Sequence, residues 1–299
     1  MIIGVPHLTH RNEHRVGLTP SIVAQFTKRG HTVVLEKSAG LSARFTDRDY
    51  ELAGAQVVYT ADEAYMRADL VCQVSVISPE QLAHMKPGTT VCGFLHLAVA
   101  SKDMVARLSD LKATLIGYEI IRDQRGELPV LLPMSEMAGQ MAIHVAAHYL
   151  QIRSGGRGVL LGNVTGVPPP TVLVLGAGAV GHTAARTALA LGAHVVILDQ
   201  DYRKLRSLNS EFAGQIVTVL AATERLERYL PIADVVIGAV LIPGARAPFL
   251  ITEAMVRSMR PGSVIVDISI DQGGCVETSR PTTLEHPTFV AHDVVHYCV

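Results

Sequence analysis

The segment TVLVLGAGAVGHTAARTALALGAHVVILDQD, residues 171–201, decides the fold of the second half of the chain. An apolar run of β type, TVLVL, ends at Gly176, and glycines at 176, 178 and 181 open an Ala-rich segment of helical character. A second apolar run, HVVIL, ends at Asp199. This order of strand, glycine turn, helix, strand and terminal carboxylate predicts a dinucleotide-binding βαβ unit.

Each glycine of this pattern has a physical role at its position. Gly176 permits the tight turn, Gly178 lets the backbone approach a pyrophosphate, and Gly181 allows the helix to pack closely on the strand. The backbone N–H groups at the start of the helix, around Ala179 and Val180, are then exposed to hold phosphates. We therefore expect all five residues to bind the cofactor.

The acidic residue at the end of the second strand indicates which dinucleotide is bound. Asp199 follows the glycines by roughly 20 residues, where a carboxylate accepts hydrogen bonds from the adenosine ribose. Arg203 and Lys204 are close enough to attract a 2′-phosphate, but the Asp199 carboxylate would repel it. NAD is therefore the predicted cofactor rather than NADP.

Composition argues for two domains and against nucleic-acid and membrane partners. The 299 residues are enough for two domains, each with its own core. The chain has 26 Lys and Arg against 27 Asp and Glu, so it offers no basic field to nucleic acid. Its apolar runs are cut by Gly or Pro before the roughly 20 residues that span a bilayer, and the N-terminus lacks a signal-peptide pattern. We expect a cytoplasmic location.

Histidine and cysteine patterns predict neither a metal site nor disulfides. The segments HVAAH and HDVVH lack the glutamate that the zinc-binding pattern HExxH requires beside its first histidine. The four cysteines form no CxxC pair and are too few for a disulfide framework in a chain of this size. We expect them to be reduced and buried.

The sequence before the dinucleotide-binding segment predicts a second Rossmann-like α/β domain. Residues 1–130 alternate strands and helices but contain no phosphate loop. A long helical run, MSEMAGQMAIHVAAHYLQI, begins near Pro133 and is predicted to join the domains. We assign 1–130 to a substrate domain and 131–299, including this helix, to an NAD-binding domain with a doubly wound parallel sheet. Its later strands are predicted as QIVTVLA, DVVIGAVLI, SVIVDISI and TFVAHD, all extending the parallel sheet.

Polar residues that follow apolar strands are candidates for the chemistry. A nicotinamide-dependent enzyme needs a proton acceptor near the substrate carbon and a cation for a substrate carboxylate. The ligand crevice of a parallel sheet lies at the carboxyl ends of its strands, which selects His96 after GFL and Asp271 after SVIVDISI. A histidine in that place is more often structural than catalytic, and Arg15 is equally compatible with a solvated loop.

Seven strings distributed over the whole chain resemble the bacterial alanine dehydrogenases, which are related to the NAD-binding part of proton-translocating transhydrogenase. The strings are EHRVGLTP at 13–20, GFLHLA at 93–98, LLPMSEMAGQ at 131–140, GGRGVLLG at 155–162, GAGAVG at 176–181, IGAVLIPGA at 237–245 and VDISIDQGG at 266–274. The resemblance implies NAD-dependent, reversible oxidative deamination of a small L-amino acid to a 2-keto acid and ammonium. It also implies a homo-oligomer, either a hexamer or a dimer.

The resemblance further implies roles for individual residues. Arg15 matches an arginine that binds the substrate carboxylate, His96 an acid and base, and Asp271 an aspartate that activates water or ammonia beside the nicotinamide. The implied cofactor contacts are Met134, Ser135, Val240, Leu241, Ile268 and Asp271.

Two features depart from the family pattern. In CQVSVISP, Ser75 occupies the position of the family's substrate-binding lysine and Val76 that of the neighbouring acidic residue, and the chain stops at Val299 where the family continues. Loss of a charged hydrogen bond would cost about 1.5–3 kcal/mol. Three interpretations follow: a dehydrogenase with an altered substrate, an ordinary alanine dehydrogenase in which another cation reaches the site, or an NAD-binding homologue that has lost catalysis and acts as a partner or regulator.

Overall fold

A computed structural model of the protein describes residues 1–8, 13–242 and 245–299. The chain divides into two units, Met1–Val130 and Leu131–Val299. Each unit is built on its own sheet.

The first unit combines short strands and short helices in alternation. Within its described residues the strands are β1 (Ile2–Val5), β2 (Thr32–Glu36), β3 (Gln56–Val58), β4 (Leu70–Cys72), β5 (Thr90–Gly93) and β6 (Thr114–Gly117). The α-helices are α1 (Pro20–Lys28), α2 (Asp47–Leu52), α3 (Ala61–Arg67), α4 (Pro79–Ala83) and α5 (Lys102–Asp110).

The strand order of this sheet is β3-β2-β1-β4-β5-β6, and every neighbouring pair is parallel. Alternate residues of its strands enter two separate cores: Ile3 and Leu35 pack on the side of α1 and α2, whereas Val71 and Val91 pack on the side of α3, α4 and α5. Because both faces are covered, the residues in the middle of the strands are apolar, and polar residues such as Glu36 and Gln56 stand only at strand ends. The order reverses between β1 and β4, which is where such sheets bind ligands.

The second unit repeats this plan with one additional strand. Within its described residues the strands are β7 (Thr171–Leu175), β8 (His194–Asp199), β9 (Val217–Leu220), β10 (Val235–Gly238), β11 (Val264–Asp267), β12 (Thr288–Ala291) and β13 (Val294–Tyr297). The α-helices are α6 (Leu132–Tyr149), α7 (Ala179–Ala190), α8 (Tyr202–Glu211), α9 (Thr223–Tyr229) and α10 (Glu253–Arg257).

The sheet of the second unit has the order β12-β13-β11-β10-β7-β8-β9. On β7, Val172 and Val174 pack in the core formed with α6, α7 and α8, while Leu173 and Leu175 pack in the core formed with α9 and α10. Helices therefore cover both faces, as the predicted doubly wound α/β fold requires. The order reverses between β7 and β10, and the glycine turn lies at this point.

The predicted parallel direction of the last strand, TFVAHD, is wrong. It forms β12, which pairs antiparallel with β13, a strand that the sequence pattern did not reveal. The reversal is made by His292 and Asp293 alone, both with positive φ (53° and 60°). Such a two-residue turn is typical of hairpins but usually carries Asn or Gly, so its sequence signal was missing here.

The long predicted helix is α6, and it packs on α7 and β11 of the second unit. Ala142, Ile143 and Ala146 form its buried face. Gly139 lets the two helices approach closely, because a Cβ there would overlap the Val180 carbonyl oxygen of α7. The helix is therefore part of the second unit's core.

A buried histidine, His296, lies in β13. Its Nδ1 lies 3.0 Å from the Val294 carbonyl oxygen and its Nε2 lies 2.8 Å from Thr278 Oγ1, while its ring stacks on Phe289. The carbonyl can only accept, so Nδ1 donates and Nε2 accepts from the hydroxyl. Both hydrogen bonds therefore suit the neutral ring, and burial lowers the pKa of His296.

We expect this histidine to make stability depend on pH. The unfolded chain takes up the proton around the usual pKa of 6.5, whereas the folded chain does so only at lower pH. The free energy of unfolding should therefore fall as the pH drops below about 6.5. Urea denaturation at pH 7.5 and 5.5 measures this, and His296→Gln should reduce the difference. The same change at exposed His194 is the control, and an equal reduction there would contradict the assignment.

Candidate active site

The first unit brings three of the predicted residues to one edge of its sheet. Arg15 lies in the loop after β1, Ser75 follows β4, and His96 follows β5. These strands are neighbours and parallel, so their carboxyl ends lie side by side at the point where the strand order reverses. The strand order therefore brings the loops that carry Arg15, Ser75 and His96 to the same edge of the sheet.

The loop that carries Arg15 lies directly on the end of β4. A Cβ at Gly17 would overlap the Cys72 carbonyl oxygen, so only glycine fits at this approach. Arg15 donates from Nε to Glu13 Oε1 at 2.8 Å and from Nη2 to Glu13 Oε2 at 2.7 Å. Its guanidinium also lies 5.9 Å from the centre of the Phe94 ring, within the range of a cation–π contact. The half-exposed guanidinium is thus held above the end of β5.

His96 is fixed by its backbone rather than by its ring. It adopts the left-handed conformation (φ 45°, ψ 39°), and its N–H donates to Glu119 Oε1 at 2.8 Å. The neighbouring Leu95 N–H donates to Glu119 Oε2 at 3.3 Å. The ring atom Nδ1 is buried and has no hydrogen-bond partner among the described residues. The ring is therefore available for an additional partner.

Glu119 is a functional candidate that the sequence reasoning missed. It is buried (7% exposed) and follows β6 in a short 3-10 helix, Tyr118–Ile120. The rule that selected His96, a polar residue after an apolar strand, would have selected Glu119 in IGYEI as well. Its role in the structure is to position the loop that carries His96.

Ser75 is held in place by a buried amide. Gln73 is fully buried, donates from Nε2 to the Ser75 carbonyl at 2.8 Å, and accepts from the Tyr65 hydroxyl at 3.1 Å. Ser75 itself is partly buried, and Val76 beside it is 51% exposed. This edge of β4 therefore presents a hydroxyl and an aliphatic side chain.

The glycine turn of the second unit has the geometry that its three glycines predict. Gly176 has a φ of 102°, and a Cβ there would overlap the Ala239 carbonyl oxygen. A Cβ at Gly181 would overlap the Gly176 carbonyl oxygen, so helix and turn touch. At Gly178, the N-cap of α7, a Cβ would meet no described atom within 4 Å. Open space therefore lies in front of the first amides of α7, at Ala179 and Val180.

Asp199 lies beside this turn. Its Oδ2 accepts from the Ala177 N–H at 2.6 Å, and its Oδ1 accepts from the Asp201 N–H at 2.7 Å. Carboxylate oxygens accept more than one hydrogen bond each, so capacity remains for hydroxyl donors. These two hydrogen bonds fix the carboxylate of Asp199 next to the open space at the start of α7.

Two aspartates, Asp267 at the end of β11 and Asp271 after it, have contrasting environments. Asp267 is buried and accepts from the N–H groups of Ser269, Cys275 and Val276, and burial raises its pKa. Asp271, the predicted catalytic residue, is exposed in the 3-10 helix Ile268–Gln272. Asp267 therefore shapes the turn that presents Asp271.

Most of the other predicted cofactor residues lie in the turns that follow β10 and β11. Ile268 directly follows β11, and Leu241 follows Val240 after β10. The Ser269 hydroxyl accepts from the Val240 N–H and donates to the Val240 carbonyl, both at 2.9 Å, a contact that the sequence did not indicate. Met134 and Ser135 are in the first turn of α6. His96 and Asp271 belong to different units.

The described ranges, 1–8, 13–242 and 245–299, contain neither a cluster of metal-ligating side chains nor a membrane-spanning helix. No group of three or more His, Cys, Asp or Glu residues there is arranged to hold a metal ion. No helix in the same ranges is long and apolar enough to cross a membrane. The four cysteines are buried, as predicted, and none of them is paired in a disulfide in this structure.

Two doubly wound sheets, a dinucleotide-type glycine turn and polar residues at the carboxyl ends of the strands define a protein of the dehydrogenase type. Models of the alanine dehydrogenase/PNT N-terminal and C-terminal domains match residues 4–138 and 142–299. The chain belongs to the alanine dehydrogenase/PNT family. The resemblance inferred from the seven strings is thereby confirmed.

Individual relatives agree with this assignment. Alanine dehydrogenases of Mycobacterium tuberculosis and Halomonas elongata are 48% and 45% identical over the whole chain, which spans 80% of each. A solved L-alanine dehydrogenase matches the whole chain with a TM-score of 0.88 at 42% identity and is covered to 82%. The transhydrogenase of Sinorhizobium meliloti matches with a TM-score of 0.79 at 27% identity, with 100% and 86% of the two chains covered. The chain is therefore an oxidoreductase of the alanine dehydrogenase kind.

Proposed function

We propose that the protein is an NAD-dependent dehydrogenase of a small L-amino acid. The reaction converts the amino acid, NAD⁺ and water to a 2-keto acid, ammonium, NADH and a proton, and it is reversible. The observation that carries the proposal is the edge of the first sheet, where Arg15 follows β1 and His96 follows β5, the two parallel strands on either side of β4. These are a cation suited to a carboxylate and an imidazole suited to proton transfer.

The residues of the second unit fit a bound NAD. Gly178 leaves open space at the start of α7, where helix amides favour a pyrophosphate, and Asp199 is fixed beside it for the ribose hydroxyls. Ser269 holds Val240 in the turn after β10, next to the glycine turn after β7. When bound, NAD would supply the hydride acceptor.

The remaining roles belong to side chains of this chain. Arg15 binds the substrate carboxylate with its planar fork of donors, oriented by Glu13. His96 accepts and returns the proton of the substrate oxygen through its ring, while Glu119 positions its backbone. Asp271 accepts the proton from attacking water or ammonia.

A second candidate function is an NAD-binding homologue that has lost catalysis and acts as a partner or regulator. The observation that favours it is Ser75, a neutral side chain at the carboxyl end of β4. One experiment separates the two candidates: NADH formation with a panel of L-amino acids, and NADH consumption with 2-keto acids plus ammonium. Absence of turnover with every substrate, together with measurable NADH binding, would leave only the second candidate. The homo-oligomer and the cytoplasmic location stay predictions.

Adding a cation at position 75 tests whether its absence limits alanine turnover. Ser75→Lys is expected to raise kcat/KM for alanine by about ten- to a hundredfold, the worth of one hydrogen bond from a charged group. Ser75→Met is the matched control, because it has a similar length without the charge. Steady-state NADH formation gives both values. Equal effects of the two substitutions would show that charge at this position is not limiting.

Removing the carboxylate at position 199 tests the choice of NAD. We expect Asp199→Asn to reduce the preference for NADH over NADPH by about tenfold or more, because the repulsion of the 2′-phosphate is lost. Asp201→Asn, two residues further on, is the matched control. Fluorescence titration of both nucleotides measures the preference. An unchanged preference in Asp199→Asn would contradict the assigned role.

A further inference from the structure

A cavity of about 250 Å³ opens beside His96 in the first unit. Its walls come from three segments of the chain: the turn after β4, the turn after β5, and α5. The lining side chains are mostly aliphatic, among them Ile77, Val99, Ala100, Met104 and Leu108. The cavity is thus an apolar space next to the proposed acid and base.

Among the described residues of the wall, only two side chains carry nitrogen or oxygen atoms. Ser101 accepts the Met104 N–H at 3.2 Å and so caps α5. His96 Nδ1, in contrast, is buried and has no hydrogen-bond partner among the described residues. A buried polar atom normally has a partner, so one is expected from a bound molecule. The described wall is therefore apolar apart from Ser101 and His96, and His96 carries a buried ring nitrogen without a hydrogen-bond partner among the described residues.

The size of the cavity decides which substrate side chain would fill it. A water molecule accounts for about 30 Å³ of liquid, and a methyl group is of similar size. The methyl group of alanine would leave most of the 250 Å³ unfilled. Charged side chains would be buried without a partner ion, since the described residues of the lining include no Asp, Glu, Lys or Arg. An apolar side chain of three or four carbons, branched or unbranched, is both large enough for the cavity and uncharged.

We propose that this cavity receives the side chain of the substrate, so that the enzyme prefers an amino acid or 2-keto acid with an apolar side chain larger than methyl. The inference rests on the proposed function, because His96 contacts substrate only in that reaction. The backbone N–H of His96 is anchored to Glu119, and His96 is one of the residues that line the cavity. The reacting carbon and the side chain attached to it would thus be placed together.

A substrate series tests the proposal. The test compares kcat/KM for alanine, 2-aminobutyrate, norvaline, leucine and aspartate, each to be determined from NADH formation. Each methylene that becomes buried is worth about a fourfold gain, so norvaline, which has two more methylenes than alanine, should exceed alanine by about fifteenfold. Aspartate should be the poorest substrate.

A cavity-filling variant links this preference to the site. Ala100→Leu should lower the ratio of norvaline to alanine by about tenfold, because it occupies the space of the larger side chain. Ala106→Leu is the matched control, since Ala106 lies on α5 but is exposed and outside the wall. If Ala100→Leu does not fold by circular dichroism, Ala100→Val replaces it with a smaller expected decrease.

The outcomes separate the inference from the function on which it rests. Turnover that is best with alanine, or a norvaline ratio that Ala100→Leu leaves unchanged, overturns the inference and leaves the dehydrogenase in place. Absence of turnover with all five amino acids overturns the proposed function and the inference with it. Preference for norvaline that is lost in Ala100→Leu and kept in Ala106→Leu supports both.

Discussion

His96→Asn is expected to lower kcat for the preferred amino acid by a factor of about 10²–10⁴, the usual worth of a general acid and base. Asn is chosen because it tolerates the left-handed backbone that His96 adopts, so the N–H should still reach Glu119. The loss should therefore come from the missing ring nitrogen rather than from a displaced loop.

The measurement has three parts. Steady-state kinetics should show the decrease mainly in kcat, and NADH titration should give an unchanged affinity, because the glycine turn and Asp199 are in the other unit. Thermal unfolding checks that the variant is folded. His84→Asn, on the surface of the same unit beside Asp62, is the control. A decrease of less than about threefold in His96→Asn would remove His96 from the proposed mechanism.

The part of the fold that could be predicted from sequence is the part with fixed local geometry. At Gly176 and Gly181 a Cβ would overlap neighbouring carbonyl oxygens, so the residue type itself reveals the turn. The apolar strands were equally visible, because both faces of each sheet are covered and strands such as β7 contain no charged residue. Local constraint and two-sided burial both leave a direct trace in the sequence.

The part that was missed depends on residues that are distant in sequence. Glu119 positions His96 across 23 residues, and Ser269 holds Val240 across 29, and neither contact has a sequence pattern of its own. The hairpin between β12 and β13 was missed for a different reason. Its turn uses His292 where hairpins commonly have Asn or Gly. Spacing rules identify single residues, whereas the contacts that orient them follow from the sheet order.

The same limit applies to the size of the substrate. Sequence reasoning identified Ser75 as the exceptional position, yet the cavity beside His96 is formed by side chains from three segments that converge only in the fold. Val76 belongs to its wall, so the departure from the family pattern and the apolar cavity adjoin one another. Substrate choice is therefore a question about this edge of the sheet rather than about Ser75 alone.

Asp267 at the end of β11 and Asp271 after it offer the sharpest test of the second unit, because the same substitution should lower stability at the first and activity at the second. Asp271→Asn is expected to lower kcat by about 10²–10⁴-fold, since the amide cannot accept the proton. Its free energy of unfolding should change by less than about 0.5 kcal/mol, because the side chain is exposed.

Asp267→Asn is the matched comparison, and its main effect should be a lower free energy of unfolding. Asp267 accepts from the N–H groups of Ser269, Cys275 and Val276 in a buried turn, and a carboxamide offers one oxygen where the carboxylate has two. The free energy of unfolding should fall by about 1–3 kcal/mol. Urea denaturation and NADH-coupled kinetics on both variants separate the roles. Full activity in Asp271→Asn would show that the proton is accepted elsewhere, and a loss of stability in that variant equal to that of Asp267→Asn would assign Asp271 to the architecture of the turn instead.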